Sequence, residues 1–404
     1  MTDQATMTAD VAANDGPILS LAGDPVAFRA AVRDWIEDAL KRRAAIDGGK
    51  EPDFEESQRW WMAERNKVGL GTPHWPRAYG GADLSLRNQV LVAEEMARAK
   101  APPLSMFVVS LHHVPATLMH WGTEEQKKKY LPGVANGVVW CQGFSEPGAG
   151  SDLAALRCRA ERDGDYYVIN GQKIWSSFSM FASHSIFLAR TDPTAPKHKG
   201  ISYFLLDMKA PGVEVRPIKQ ANGEYEFAEL FLTDVRVHVS DLIGEENQGW
   251  MIAQSTLAAE RGVLSFEGGE RYRYELESYF ANAVKTGAAW LQDVEMVREF
   301  TRLFGEMQAC RRLLRRLLRE NEVESPNAAV TVVHVKVVFS QLRRKVGDFL
   351  TRVGDFEGQR FFMGEGLSNP VMAYIDSYAL TIAGGSNEIM RNIFAERVLG
   401  MPKG

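Results

Sequence analysis

Apolar residues recur at helical spacing from residue 24 to about 136. Asp24-Pro25 supplies an N-cap and a first-turn proline, after which Phe28, Val32, Trp35 and Ile36 share one face. Ser85 can cap a further helix whose apolar side holds Val90, Val92, Ala93 and Met96. Thr123-Glu-Glu-Gln126 has the form of a capping box and opens a helix carrying Tyr130 and Leu131. From about 138 to 243 the period drops to two. VVWCQGF, YYVING, KIWSSF, HSIFLAR, ISYFLLDM, VEVRPI and AELFLTDVRV read as short strands, with Asp163-Gly164 and Asn170-Gly171 as hairpin turns. Helical spacing returns from Asn247, in segments of about 247–283, 293–322, 326–354 and 370–399, with Ser325-Pro326 separating the second from the third. The pattern predicts an α+β multidomain chain: a helical domain over 24–137, a β domain over 138–246 and a helical bundle over 247–404. Residues 1–23, small and polar, read as a flexible tail.

Composition narrows the options. A chain of 404 residues that is 45% hydrophobic is longer than one core usually spans. A net charge of −5 gives no basis for nucleic acid or an anionic membrane as a general partner. No apolar run approaches the roughly 20 residues that a spanning helix requires, and the N-terminus has no basic region followed by an apolar core, so a reducing cytoplasm is expected. Cys141, Cys158 and Cys310 are too scattered for a disulfide framework or a zinc site, and His112-His113 have no cysteine or carboxylate at ligand spacing. No metal is expected. Pro196-Lys-His-Lys-Gly200 reads as an exposed loop. Arg311-Arg-Leu-Leu-Arg-Arg-Leu-Leu-Arg319 places a basic face opposite an apolar one, either solvated, paired with acidic groups across a subunit interface or binding CoA phosphate.

The most informative stretch is 140–179. A turn-rich Ser145-Glu-Pro-Gly-Ala-Gly-Ser-Asp152 loop precedes alternating strands and a Lys173-Ile-Trp-Ser-Ser177 segment. With Pro76-Arg-Ala-Tyr-Gly-Gly81, Gly122 to Gln126, Tyr130-Leu-Pro132, Gly244 to Gly249 and the last 25 residues, this order resembles the acyl-CoA dehydrogenase family from about residue 24 to 402. The resemblance implies an N-terminal helical domain, a central β-barrel or sandwich and a C-terminal four-helix bundle. It also implies FAD, whose binding would owe nothing to a P-loop or a Rossmann glycine fingerprint, neither of which is present. The reaction would convert an acyl-CoA thioester to a trans-2-enoyl-CoA, with flavin N5 accepting the β-hydride.

By the same resemblance, Ser145 and Ser177 supply hydroxyls to the flavin, and Trp175 packs beside its ring. Gln142, Phe144 and Ser176 border it, Ser151 lies near the FAD pyrophosphate or the substrate's CoA arm, and Ser386 and Glu388 join the cofactor site. The position at which most of the family carries its catalytic Glu is Gly384 here. A smaller branch, which includes isovaleryl-CoA dehydrogenase, carries the base on an earlier helix in a Leu-Glu-Arg motif, and Leu257-Ala-Ala-Glu-Arg261 places Glu260 there. Glu260 is thus expected to take the α-proton, with the Gly384 N–H binding the thioester oxygen.

Two departures stand out. Phe280 to Trp290 has no Arg-x-x-Phe-Gly segment. Glu357-Gly-Gln-Arg360 and Gly364-Glu-Gly366 are poor matches to Gln-x-x-Gly-Gly. How the adenine half of FAD is held is therefore open, and the chain is similar to actinobacterial members acting on steroid side chains, some of which are unlike-subunit assemblies. A homodimer, a homotetramer or a heteromer with a second related subunit is expected, with electron-transfer flavoprotein as acceptor. Two alternatives stay open: an oxidase using O2, like acyl-CoA oxidases or nitroalkane oxidase, and a non-catalytic scaffold subunit. Ala383-Gly384-Gly385 removes bulk and favours a branched or bulky acyl group.

Overall fold

In the computed structural model, which describes residues 16–50, 52–258, 263–354 and 369–402, local signals start the helices as the sequence predicts. Asp24 accepts from the backbone N–H groups of Val26 and Ala27 at 2.9 and 3.2 Å and opens α1 (Pro25–Asp47). Thr123 and Gln126 close both arms of the capping box at α5 (Glu124–Ala135). A helix not foreseen, α2 (Phe54–Lys67), lies between them in sequence and is capped by Asp53. Then come α3 (Leu86–Arg98) and α4 (Val114–Trp121). Residues 16–23, read as tail, fold into a 3-10 turn at Leu19–Leu21, because Ile18 and Leu19 have apolar surface to bury.

The described residues of 16–92, 101–218 and 226–258 form one compact unit. Its sheet holds β1 (Trp140–Gly143), β2 (Arg159–Asp163), β3 (Tyr166–Ser177), β4 (His184–Arg190), β5 (Ile201–Asp207), β6 (Val213–Pro217), β7 (Phe227–His238) and β8 (Leu242–Ile243). The strand order is β6-β7-β3-β2-β4-β5-β8, with β1 parallel to β4. Both faces of the central strands are covered. Ile186 and Leu188 join a core with Trp75, Val114, Leu118 and Leu131, whereas Phe187 and Ala189 join one with Tyr167, Ile169 and Leu230. That explains why β4 and β5 read as continuous apolar runs. Helix α6 (Gly249–Ala258) is fastened to this unit by buried hydroxyls: Thr256 Oγ1 lies 2.7 Å from Thr117 Oγ1, and the Tyr203 hydroxyl lies 3.3 Å from Thr117.

The Asn170-Gly171 hairpin is corrected. β3 runs straight through it, and the register against β7 shifts between Ile169 and Gly171. Gly171, at φ 149°, sits where a Cβ would lie 2.8 Å from Cys158. The Asn170 side chain bonds Asp234 through both its amide atoms, at 3.0 and 2.9 Å, replacing ladder bonds that the bulge interrupts. Asp163-Gly164 does turn the chain, from β2 into β3.

The second unit comprises the described residues of 93–100, 219–225, 263–354 and 369–402. It contains α7 (Val263–Thr286), α8 (Val294–Glu322), α9 (Ala328–Val353), α10 (Pro370–Ile382) and α11 (Asn387–Arg397). The segment expected as one helix over 370–399 is broken, because Gly384 and Gly385 adopt φ of 64° and 88°. The helix expected over 247–283 appears as α6 and α7, with 259–262 outside the described residues. Leu314, Leu317 and Leu318 are buried along α8. On its basic face Arg315 bonds Glu94 at 2.6 Å, and Arg311 pairs with the fully buried Glu270. Arg273 also reaches Glu270, at 3.0 Å. Part of the arginine run thus neutralises carboxylates inside the unit.

Candidate functional site

Six of the residues assigned to the cofactor lie together in the first unit, on two segments 30 residues apart in sequence. At the end of β1, Gly143 packs so closely on Phe187 that a Cβ would fall 2.4 Å from its ring. The chain then leaves the sheet as Phe144, Ser145 and Glu146. Phe144 is buried with its ring edge-on to Tyr203, centroids 5.7 Å apart. The end of β3 runs alongside. Ile174 donates its N–H to the Ser145 carbonyl at 2.9 Å, and the Ser176 hydroxyl donates to the Gln142 carbonyl at 3.0 Å. Ser176 is buried, while Gln142, Ser145 and Ser177 are half-buried.

Between these bonds the backbone is forced outward. The register with β7 shifts between Lys173 and Ser176. Trp175 takes φ 62° and Phe178 φ 53°, both in the left-handed region that side chains other than glycine rarely enter. The result is an indole that is 56% exposed, with an edge-on contact to the Phe227 ring at 5.9 Å. An exposed aromatic plate beside two half-buried hydroxyls suits a planar heteroaromatic with a polar edge. This donor set fits the isoalloxazine of FAD. Ser151 is exposed on the loop beyond the Glu146–Ala149 turn.

Sequence reasoning missed the pair beneath this surface. Lys173 is fully buried, and its ammonium donates to Glu146 Oε1 at 2.8 Å and to the Phe144 carbonyl at 3.1 Å. Glu146 also accepts from the backbone N–H groups of Arg157 and Cys158 at 2.7 and 2.8 Å. The signal was present: Tyr167, Ile169 and Lys173 fall on one side of an alternating strand, which points a lysine inward. Burial pushes the neighbouring Cys158 thiol up to about 11 and Cys141 up to about 12, so both are neutral packing groups near pH 7.

In the second unit, Gly384 lies in the turn between α10 and α11 with open space where a Cβ would stand. Ser386 caps α11, accepting from Ile389 N–H at 3.2 Å. Next to it, buried Asn387 ties the turn to α9 by accepting from Lys336 and Ser340, both at 3.0 Å. Glu388 is exposed and pairs with Arg391 at 3.2 Å. Glu260 lies outside the described residues, as do the poorly matching segments at 357–360 and 364–366. No cluster of metal-ligating side chains occurs among the described residues.

Comparison with known proteins agrees over nearly the full length. Residues 24–138, 141–235 and 247–399 match the models of the acyl-CoA dehydrogenase N-terminal, middle and C-terminal domains. The chain is 38% identical over 384 residues to the acyl-CoA dehydrogenase IpdE1 of Mycobacterium tuberculosis, covering 93% of this chain and 97% of the relative. Among solved structures, the Tcur3481-Tcur3483 steroid ACAD superimposes with a TM-score of 0.82 at 32% identity, over 95% of this chain and 98% of that one. The ChsE4-ChsE5 complex from Mycobacterium tuberculosis gives a TM-score of 0.76 at 28% identity, over 96% and 98%. Three domain models in unbroken order, and a structural match along the whole fold, establish that the chain belongs to the acyl-CoA dehydrogenase family, as an FAD-dependent oxidoreductase of acyl-CoA thioesters.

Proposed function

We propose that this enzyme desaturates a bulky, ring-bearing acyl-CoA to the trans-2-enoyl-CoA, with Glu260 as the base for the α-proton. One observation carries the reading. Gly384, at the family's usual base position, has no side chain, sits at φ 64° and faces open space. The carboxylate must then come from elsewhere. Glu388 is exposed and engaged by Arg391, in a setting that gives a base little help. Leu257-Ala-Ala-Glu-Arg261 supplies Glu260 at the alternative position. The Gly384 N–H polarises the thioester carbonyl, which acidifies the α-carbon. FAD, when bound, supplies the acceptor for the β-hydride. Gln142, Phe144, Ser145, Trp175, Ser176 and Ser177 hold its ring, while Ser151, Ser386 and Glu388 hold its more polar parts.

Two features support a bulky substrate: the side-chain-poor Ala383-Gly384-Gly385 turn, and likeness to a protein described as a steroid ACAD. The named assemblies Tcur3481-Tcur3483 and ChsE4-ChsE5 support a heteromer in which a second related chain completes the FAD site. So does Phe280 to Trp290. Phe280 stacks on Phe300 at 5.2 Å and Trp290 meets Phe349 edge-on at 5.5 Å, which commits this segment to bundle packing. Electrons leave to an electron-transfer flavoprotein.

Anaerobic mixing with steroid side-chain and straight-chain acyl-CoAs, following bleaching of the flavin, tests the substrate class. Glu260→Gln is expected to keep its flavin and lose bleaching by about 10²–10⁴-fold. Near wild-type bleaching would remove Glu260 from the mechanism. One flavin per chain in a homo-oligomer purified alone would exclude an obligatory partner.

A further inference from the structure

We infer that the buried Lys173–Glu146 pair is a positioning device for FAD: it holds the Trp175–Ser177 bulge against Phe144-Ser145 before the cofactor arrives. The inference rests on the reading that these two segments face the isoalloxazine.

Lys173 has no exposure, and its ammonium is shared between a carboxylate and the Phe144 carbonyl. Glu146 in turn accepts the Arg157 and Cys158 N–H groups and heads the turn that closes at Ala149. One pair therefore ties β3 to three other stretches of chain: the end of β1, the loop through 146–149 and its return at 157–158. The Lys173 ammonium also lies 5.1 Å from the centre of the Phe187 ring, which excludes water from one side. A buried pair of this kind gives little net stability against apolar residues of similar shape. Its geometric effect is more specific. Two residues beyond Lys173 the chain enters the left-handed region at Trp175. Such a conformation persists only where its surroundings over-determine it. Before the bulge the chain is restrained by the Lys173 bond to the Phe144 carbonyl and by the Ile174 N–H bond to the Ser145 carbonyl, and directly after it by the Ser176 hydroxyl on the Gln142 carbonyl.

The test separates positioning from mere stability. Lys173→Met keeps length and removes the donor but strands the Glu146 charge. Lys173→Met/Glu146→Gln removes both charges. Apo-protein is titrated with FAD by fluorescence quenching at a temperature at which each variant is folded. Both variants are expected to bind FAD about tenfold or more weakly, the scale usual for residues that orient a ligand's direct contacts, while the double variant recovers thermal stability. Val237→Ala, at the far end of the β3–β7 ladder, is the control for stability loss alone and should leave FAD affinity unchanged. Hydrogen exchange in wild-type apo-protein gives a readout independent of variant folding: the Ile174, Arg157 and Cys158 amides should be protected before FAD is added. FAD affinity within twofold of wild type in the double variant, or protection of those amides only after FAD binds, would overturn the inference. Trp175→Ala with unaltered FAD affinity would instead remove the underlying reading of the flavin face, so the two failures are distinguishable.

Discussion

Replacing Trp175 by glycine and by alanine separates what this residue does for the fold from what it does for the cofactor. The indole is 56% exposed and, among the described residues, has one aromatic contact, edge-on to Phe227 at 5.9 Å. Losing that contact costs about 0.5–1.5 kcal/mol in both variants. Alanine keeps the Cβ and therefore keeps the left-handed strain of φ 62°. Glycine removes strain worth about 1–2 kcal/mol but orders a more flexible chain on folding, at about 0.5–1 kcal/mol. The glycine variant should therefore be the more stable of the two by about 0.5–1 kcal/mol, or roughly 2 °C in the unfolding midpoint of the apo-protein. Both variants lose the aromatic wall. Stacking and apolar contact together are worth about 1–2 kcal/mol of binding, so FAD affinity should fall roughly five- to thirtyfold in each. Thermal unfolding of apo-protein and fluorescence titration with FAD measure the two quantities on the same samples. A glycine variant less stable than the alanine variant would show that no strain is stored at 175. Wild-type FAD affinity in both would show that the indole does not wall the flavin.

Two further outcomes follow from groups outside the flavin face. Glu270→Ala leaves Arg273 and Arg311 facing a buried void and should cost about 3 kcal/mol. Glu270→Leu/Arg311→Met should restore most of it, since Arg273 keeps Glu277 at 2.5 Å and Arg315 keeps Glu94. Urea unfolding followed by helical circular dichroism decides, and a single-variant cost below about 1 kcal/mol would contradict the buried-charge account. His184, stacked on Trp140 at 4.7 Å, has its pKa lowered by burial, with Lys129 and Lys209 acting in the same direction against Asp207 and Asp241. A depressed histidine contributes stability that is present above its ordinary value of about 6.5 and lost as pH falls through that value toward the folded one. His184→Phe should accordingly show a smaller drop in unfolding temperature between pH 7.5 and 5.5 than the wild type, and an equal drop would assign the acid sensitivity elsewhere.

What was legible in the sequence follows the range of each interaction. Caps at Asp24 and Thr123 act over three residues and were read directly. α2 was missed because its buried side mixes Trp61 and Met62 with Gln58 and Glu64, which leaves little hydrophobic period to detect. Asn170-Gly171 misled because an Asn side chain that serves a turn equally serves a bulge, and only Asp234 on the neighbouring strand decides between them. The fate of the arginine run was likewise non-local, since Arg315 and Glu94 are 221 residues apart. The flavin face shows the limit most clearly. Motif resemblance named Ser145, Trp175 and Ser177, but no local propensity puts a tryptophan at φ 62°. That conformation belongs to neither segment alone. It exists because Ile174 is bonded to Ser145, Ser176 to Gln142, and Lys173 to Phe144 and Glu146, so that two stretches 30 residues apart in sequence fix each other's backbone. The sequence carries the one trace of this arrangement in an inward-facing lysine, and the function of that lysine becomes readable only once its partner is known to be Glu146.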